Sequence, residues 1–325
     1  MSQVFVIHEN SAWIEPLKRE FANMCTPYSE WFLDQGLLDL TAAPPQGVFY
    51  NRMSASSHTR GHTYAPEYAA AVIEWLERHG RTVVNGRRAL QLEVSKVAQY
   101  QALAGFNIPT PPTIAVVGTA NIPAAAEKLG YPLILKHNRA GKGLGVRLVL
   151  SAPALAEALA QINGSNDEHS QPRDGIWLVQ RYIATPQPSI TRAEFVGGKF
   201  LYAVKVDTSE GFELCPADVC QMPSSAVCPA VAPAAKFQVL EGFTHPLIPR
   251  WEAFLAANNI GVGAIEFATD ADGQAWSYDV NTNTNYNPEA EAKAGVSGMG
   301  AIARHLTALL RRTQFTATAE YAYAA

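Results

Sequence analysis

Glu266, Asp279 and Asn281 are spaced as a trio of oxygen donors could be. They lie in the stretch from Gly261 to Asn287, GVGAIEFATDADGQAWSYDVNTNTNYN, which reads as two short strands and a turn. The predicted strands are Val262 to Ala268 and Ala275 to Val280. Asp270-Ala271-Asp272-Gly273 joins them, a composition suited to a hairpin. Side chains alternate along a strand, so Ala264, Glu266 and Ala268 share one face, and Ser277, Asp279 and Asn281 share another. If the two faces coincide, the three donors converge in an apolar setting. Carboxylates with an amide carbonyl are hard ligands, suited to Mg2+ or Mn2+ with nucleotide phosphates completing the shell. A single strand carboxylate is usually just solvated. Here Asn281, Asn283, Asn285 and Asn287 alternate with Thr and Tyr, and Asn is depleted in ordinary strands, so the polar ladder reads as a site.

Two further stretches offer complementary charge. Tyr131 to Lys136 is an apolar strand ending in lysine, and Gly141, Lys142, Gly143 and Gly145 follow closely. Such glycines let backbone N–H groups approach a phosphate without a Cβ clash. The strand that follows, Val146 to Leu150, makes this a hairpin flap, unlike the loop-to-helix turn of a P-loop or Rossmann motif. Asn51-Arg52-Met53-Ser54, then His58, Arg60, His62 and Tyr64, form a polar loop after a predicted strand, where open α/β sheets tend to bind ligands. Arg52 or Arg60 could hold an anionic substrate group. The competing reading is a solvated loop with surface histidines.

The elements that must position these residues follow from periodicity. Val4 to Ile7, Leu37 to Leu40, Gly47 to Tyr50 and Thr82 to Val84 read as short strands. Ser11 to Cys25 has helical spacing with Pro16 as a break or kink. Pro66 to His79 carries the stripe Tyr68, Val72, Trp75 and Leu76 and stops at Gly80. Alternation of this kind predicts a small α/β domain with a parallel sheet. Glu93 to Gly105 reads as one helix, and the Pro-rich crossing Asn107 to Thr113 marks a subdomain boundary. Ile122 to Leu129 and Pro153 to Ile162 are helices, the second capped by Ser151. Trp177 to Ile183 is an apolar strand, and Arg192 to Phe195 with Lys199 to Val206 form a hairpin. Pro246 to Asn258 is a helix, Ala290 to Arg312 a helical region broken near Gly295 to Gly300, and Thr313 to Ala325 a frayed tail.

The chain has 325 residues, of which 48% are hydrophobic, enough for a large core and several subdomains. A net charge of -4 implies no nucleic-acid partner, and no apolar run approaches the roughly 20 residues that span a bilayer. MSQVFVIHENSAW reads as a first strand and not a signal peptide, and Cys25, Cys215, Cys220 and Cys228 as free thiols of a reducing cytoplasm. A homo-oligomer stays open.

The order of these pieces resembles the ATP-grasp enzymes, and most closely their RimK-type α-L-glutamate ligase group. The resemblance is carried by Lys96 in Glu-Val-Ser-Lys, the IPTPPT crossing, PLILK, GKGLGV, LVQRYI, the Arg192 hairpin with its GGK, GAIEF and YDVN, over roughly Asn51 to Arg312. It implies an α/β protein of α+β lobes, the ATP-grasp fold behind an N-terminal Rossmann-like pre-ATP-grasp domain. The implied division is 1–92, then 93–184 with the flap, 185–312 with the metal site, and a tail at 313–325. ATP and two Mg2+ ions would bind between the lobes. Lys96 and Lys136 would contact phosphates, with Gly141 to Gly145 covering them. Gln180, Arg181, Tyr182 and Ile183 would line the adenine hinge. Arg192 and Lys205 would face the reacting phosphate, and Glu266, Asp279 and Asn281 would hold the metal. Arg52, Ser54, Arg60 and Asn283 would receive substrate. Arg181 stands where many relatives carry Glu, and the segment Asp207 to Cys228 departs from the usual pattern.

The implied activity is ATP-dependent carboxylate–amine ligation through an acylphosphate, adding a glutamate-like amino acid to a small-molecule, peptide or protein carboxylate. Two other readings keep the scaffold: a non-catalytic nucleotide-binding regulator, marked by binding without ADP release, and a kinase, marked by a phosphorylated product in place of an amide.

Overall fold

The computed structural model describes residues 2–140, 145–209 and 236–323. Three sheets carry the architecture. In the first, β1 (Gln3–His8), β2 (Tyr28–Phe32), β3 (Gly47–Asn51) and β4 (Thr82–Val84) run parallel in the order β2-β1-β3-β4. The centre of β1 and all of β3 are buried, as parallel strands covered on both faces must be. Helices α1 (Glu15–Asn23) and α2 (Ala65–Arg78) accompany this sheet. Pro16 opens α1 in its first turn and breaks nothing, because the N–H it lacks has no partner there anyway. Leu37 to Leu40 forms no strand: Leu37 and Leu40 are exposed at a bend-rich loop. The edge strand is β2 instead, whose Ser29 and Glu30 obscured it.

The helix expected over Glu93 to Gly105 begins only at Lys96, as α4 (Lys96–Ala104), and a separate helix, α3 (Arg87–Glu93), precedes it. Ser95 is the reason. Its backbone is extended and its hydroxyl accepts from Ala98 N–H, so a new helix starts there and Lys96 falls in the first turn.

The second sheet is antiparallel, with β5 (Thr113–Val117), β6 (Leu133–His137), β7 (Arg147–Val149) and β8 (Ile176–Arg181) in the order β5-β8-β6-β7. Helices α5 (Ile122–Leu129) and α6 (Ala152–Gly164) cover one face, and Ser151 caps α6 through Ala154 N–H. The β6–β7 pairing makes the flap a hairpin, as the sequence predicts.

The third sheet has β9 (Ser189–Val196), β10 (Lys199–Asp207), β11 (Phe237–Leu240), β12 (Val262–Thr269) and β13 (Ala275–Asn281) in the order β11-β10-β9-β12-β13, again antiparallel. One face packs on α4 and on α7 (Ile248–Ala257) around Trp251, Phe254 and Phe267. The other shares a core with the first sheet, α8 (Pro288–Ala294) and α9 (Gly298–Tyr323). The backbone of α9 stays helical through Tyr323, past Thr313 where the sequence suggested fraying. Asn85 ties the first sheet to the third. Its amide donates to the carbonyls of Val262 and Thr282, at 2.7 Å each, and accepts from the N–H groups of Gly261 and Val262. Its left-handed backbone (φ 59°) is one that Asn tolerates.

Candidate active site

Strands β12 and β13 pair with Glu266 directly opposite Asp279, and β12 pairs with β9 so that Glu266 lies beside Arg192. Cross-strand neighbours share a face. The expected convergence of Glu266, Asp279 and Asn281 is therefore present, and all three line one cavity of about 210 Å3. The register shifts after Glu266, so that Phe267 pairs with Ser277. Tyr278 is the extra residue of this bulge. This corrects the expected alternation: Ser277 turns into the core against Trp251, while Tyr278 joins Asp279 on the cavity wall.

Arg192 is held on three sides. It donates from Nε to Glu194 (2.6 Å), from one terminal nitrogen to Glu266 (2.8 Å) and from the other to Thr284 Oγ1 (2.6 Å). Thr284 passes its own proton to Glu194. Each terminal nitrogen carries two N–H groups, so one on each remains for a ligand. Burial opposes the Arg192 charge, but Glu194 and Glu266 outweigh it and hold the guanidinium above its usual range. Glu266 shows the converse. Burial raises its carboxyl, the nearby Asp279 raises it further, and Arg192 only partly offsets both. Two adjacent, partly buried carboxylates of this kind invite a cation between them.

Lys136 lines the same cavity, buried and without a carboxylate hydrogen-bonded to it. Its ammonium donates to Tyr100 Oη (2.7 Å) and lies 5.5 Å and 5.6 Å from the ring centroids of Tyr100 and Tyr278. Burial, with repulsion from Lys96, lowers its pKa to about 7, against attraction from Asp279 and Glu266. Lys96 donates to Asp279 Oδ1 at 2.6 Å. Gln180 has a fixed amide orientation. Its neighbours are Tyr100 Oη (3.0 Å) and Thr113 Oγ1 (2.8 Å), whose protons already go to the carbonyls of Tyr278 and Pro111. Both can only accept, so Gln180 shows them its NH2 and keeps its carbonyl for the cavity. Arg181, Tyr182 and Ile183 line the same cavity.

Other expected residues stand elsewhere. Lys205 does not line the cavity. Arg192 pairs with Val204, so Lys205 is one residue out of phase, and it bonds Gln187 on the far side of the hairpin. Arg60 pairs with Glu9 through both carboxylate oxygens (3.1 and 2.7 Å) and stacks over Trp13, again off the cavity. Arg52, 1% exposed, spends its donors on Trp13 O, Thr284 O, Asn283 Oδ1 and Asn285 Oδ1. It is a brace, not a surface that meets substrate. Arg52→Ala is expected to cost on the order of 3 kcal/mol or more, since hydrogen bonds from a buried charged group are worth about 1.5–3 kcal/mol each; chemical denaturation measures it. Ser54 and Asn283 do line the cavity, with Asn285 and Glu93.

Gly141, Lys142 and Gly143 lie outside the described residues, as do Glu213, Asp218, Cys215, Cys220 and Cys228. Gly145 is described: its φ is +71°, and an added Cβ would come within 3.0 Å of the His137 ring, so only glycine suits the position.

Sequence reasoning passed over Glu93, Tyr100, Glu194 and Tyr278. Glu93 is partly buried and accepts from the N–H groups of Ala55 (3.3 Å) and Thr282 (2.7 Å). A signal existed for Glu194, two residues from Arg192 and therefore on its face.

Among the described residues no three His, Cys, Asp or Glu side chains gather as a metal site. The candidate set is instead two carboxylates and an amide. Asn281 turns its Nδ2 to Glu266 (3.2 Å), leaving its carbonyl oxygen for another partner. Hard oxygens at two crowded, partly buried carboxylates fit a divalent cation such as Mg2+.

No protein-family model matches the chain. Beta-citrylglutamate synthase B of Danio rerio is 29% identical over 143 residues, covering 43% of this chain and 33% of that protein. The chain thus spans about a third of the length of this curated relative. Among solved structures, the RimK domain ATP-grasp protein of Sphaerobacter thermophilus aligns with a TM-score of 0.64 at 19% identity, over 94% of this chain and 99% of that one. The ATP-grasp ligase PsnB, solved with a minimal precursor, Mg and ADP, aligns with a TM-score of 0.63 at 13% identity, over 94% and 96%. Near-complete coverage of both chains means that the three sheets correspond, and not one lobe alone. The chain therefore has the fold of the ATP-grasp proteins.

Proposed function

We propose that the protein is an ATP-dependent carboxylate–amine ligase that adds an amino acid, of the glutamate class, to a small-molecule, peptide or protein carboxylate. The observation that carries this reading is that the Glu266–Asp279 pair shares one cavity with Lys136 and Lys96, the latter bonded to Asp279 at 2.6 Å. Carboxylates and ammoniums gathered in one cavity suit a triphosphate bridged by a cation, and this arrangement needs no protein nucleophile.

In this reading a substrate carboxylate oxygen attacks the terminal phosphorus of ATP. The bond to ADP breaks and an acylphosphate forms. An amine then attacks the acyl carbon, phosphate leaves, and the amine loses a proton to solvent or to phosphate. Lys136, Lys96 and the spare N–H groups of Arg192 neutralise and orient the transferring group. Glu266, Asp279 and Asn281 would hold Mg2+, which when bound supplies charge neutralisation at the phosphate oxygens. Enclosure by the second and third sheets limits water, the competing acceptor.

The cavity-facing carbonyl of Gln180 supports adenine as the base, since it can accept from an exocyclic amine. ATP is expected to bind at least about tenfold more tightly than ITP, whose 6-oxo group would oppose that carbonyl, as calorimetry would show. The test of the function itself is ADP release that requires both an acid and an amine, with the product mass of an amide. ADP formed with a stable phosphorylated product and no amide would reject ligation.

A further inference from the structure

We propose that Asn283 and Asn285 are the receiving site for the carboxylate of the acid substrate, with Arg52 as the residue that positions them. The ligase reading above identifies the anion; the donor geometry is independent of it.

The argument begins with Arg52, which can only donate hydrogen bonds. Its Nε meets the amide of Asn283 at 3.1 Å, and one terminal nitrogen meets the amide of Asn285 at 2.8 Å. The atom that each Asn shows to Arg52 must therefore be its oxygen. Reversing either amide would set N–H against N–H. Each Nδ2 is thus directed away from Arg52. Thr282, Thr284 and Tyr286 are buried, while Asn283 and Asn285 alternate with them, are partly exposed and line the cavity. Among the described residues no acceptor takes either Nδ2.

Nearby acceptors are already committed. Glu93 serves Ala55 and Thr282, and Glu194 serves Arg192 and Thr284. The two amides therefore present unspent N–H donors to the cavity, with a fully buried guanidinium directly behind them. That charge polarises both amides, and the wall attracts an anion without placing a mobile cation against it. Two planar N–H donors match the two oxygens of a carboxylate. The site lies two and four residues beyond Asn281 and flanks Thr284, which accepts from Arg192, so a carboxylate held there would stand near the proposed metal ligands and Arg192. Ser54 and Ser56, which share a hydrogen bond at 3.0 Å, complete this wall.

The test separates this inference from the reading beneath it. The protein is first given Mg-ATP, hydroxylamine and each of L-glutamate, succinate, citrate and N-acetyl-L-aspartate. An acylphosphate reacts with hydroxylamine to give a hydroxamate and phosphate. No hydroxamate from any of these acids overturns the ligase reading for small-molecule acids, and the inference, which is made for them, falls with it. An acid that turns over is then titrated against Asn283→Asp and Asn285→Asp. Each substitution keeps the oxygen that Arg52 grips and replaces only the cavity-facing NH2 by an oxygen, so folding and thermal midpoint are retained. The KM for the acid is expected to rise at least 30-fold, with the KM for ATP changed less than threefold. Asn283→Ala, which removes the donor without adding charge, should raise the acid KM about tenfold. An unchanged acid KM in both Asp variants, or equal rises for acid and ATP, would overturn the assignment.

Discussion

Glu266→Gln is expected to slow ATP-dependent ADP formation about a hundredfold or more while leaving the fold intact. The side chain keeps its shape, and both contacts, from Arg192 and Asn281 (2.8 and 3.2 Å), go to Oε1, so they survive on the amide oxygen without the carboxylate charge. Arg192 keeps Glu194 as a charged partner, so no buried cation is stranded. What is lost is one of the two carboxylates that would hold the cation. Removing a single preorganised electrostatic contact from a transition state costs about 3 kcal/mol, or a factor of about 100. Arg192→Ala should lose at least as much activity, but it is the poorer experiment. It strands Glu194, 1% exposed, without its counter-charge, and losing one member of a buried pair costs roughly 3–5 kcal/mol of stability. Steady-state ADP release by Glu266→Gln, with a thermal melt as control, decides the matter. Near-normal turnover would remove Glu266 from the chemistry.

The parts of this site that were legible in the sequence are those governed by local periodicity. Alternation along two adjacent strands placed Glu266 and Asp279 together because a short turn leaves little freedom of register. The glycine-rich hairpin after Lys136 was legible for the same reason. The bulge at Tyr278 was not, because nothing in AWSYDVN marks where two residues oppose one. Alternation also failed at Lys205, whose phase relative to Arg192 depends on pairing across Gly197-Gly198. Arginine type misled at Arg52 and Arg60. A guanidinium reads as an anion receptor until its partners are known, and both partners, Glu9 and the Asn283–Asn285 segment, are remote in sequence. Arg52 was nonetheless drawn from the right neighbourhood: the strand end where the first sheet meets the third.

Lys136→Met is expected to weaken ATP binding about a hundredfold and, in the absence of nucleotide, to stabilise the protein. Both effects have one origin. The Lys136 ammonium is buried between two tyrosine rings, with a single phenol as its hydrogen-bond acceptor, so burial drives its pKa from 10.5 to about 7. The folded protein therefore binds this proton less well than the unfolded chain. Below about pH 7 both states carry it and the full penalty is present. Between about pH 7 and the ordinary lysine value the unfolded state holds more protons, so stability rises with pH, by about 1.4 kcal/mol per unit at most from this group. Methionine has a similar length and no charge to desolvate, so Lys136→Met should remove both the penalty and that part of the pH dependence. A triphosphate restores the missing counter-charge, and binding at pH 8 should draw a proton from solvent in the wild type but not in the variant. Calorimetry in buffers of different ionisation enthalpy measures that uptake directly. Wild-type ATP affinity in Lys136→Met, or equal proton uptake in both proteins, would mean that the buried ammonium does not face the phosphates.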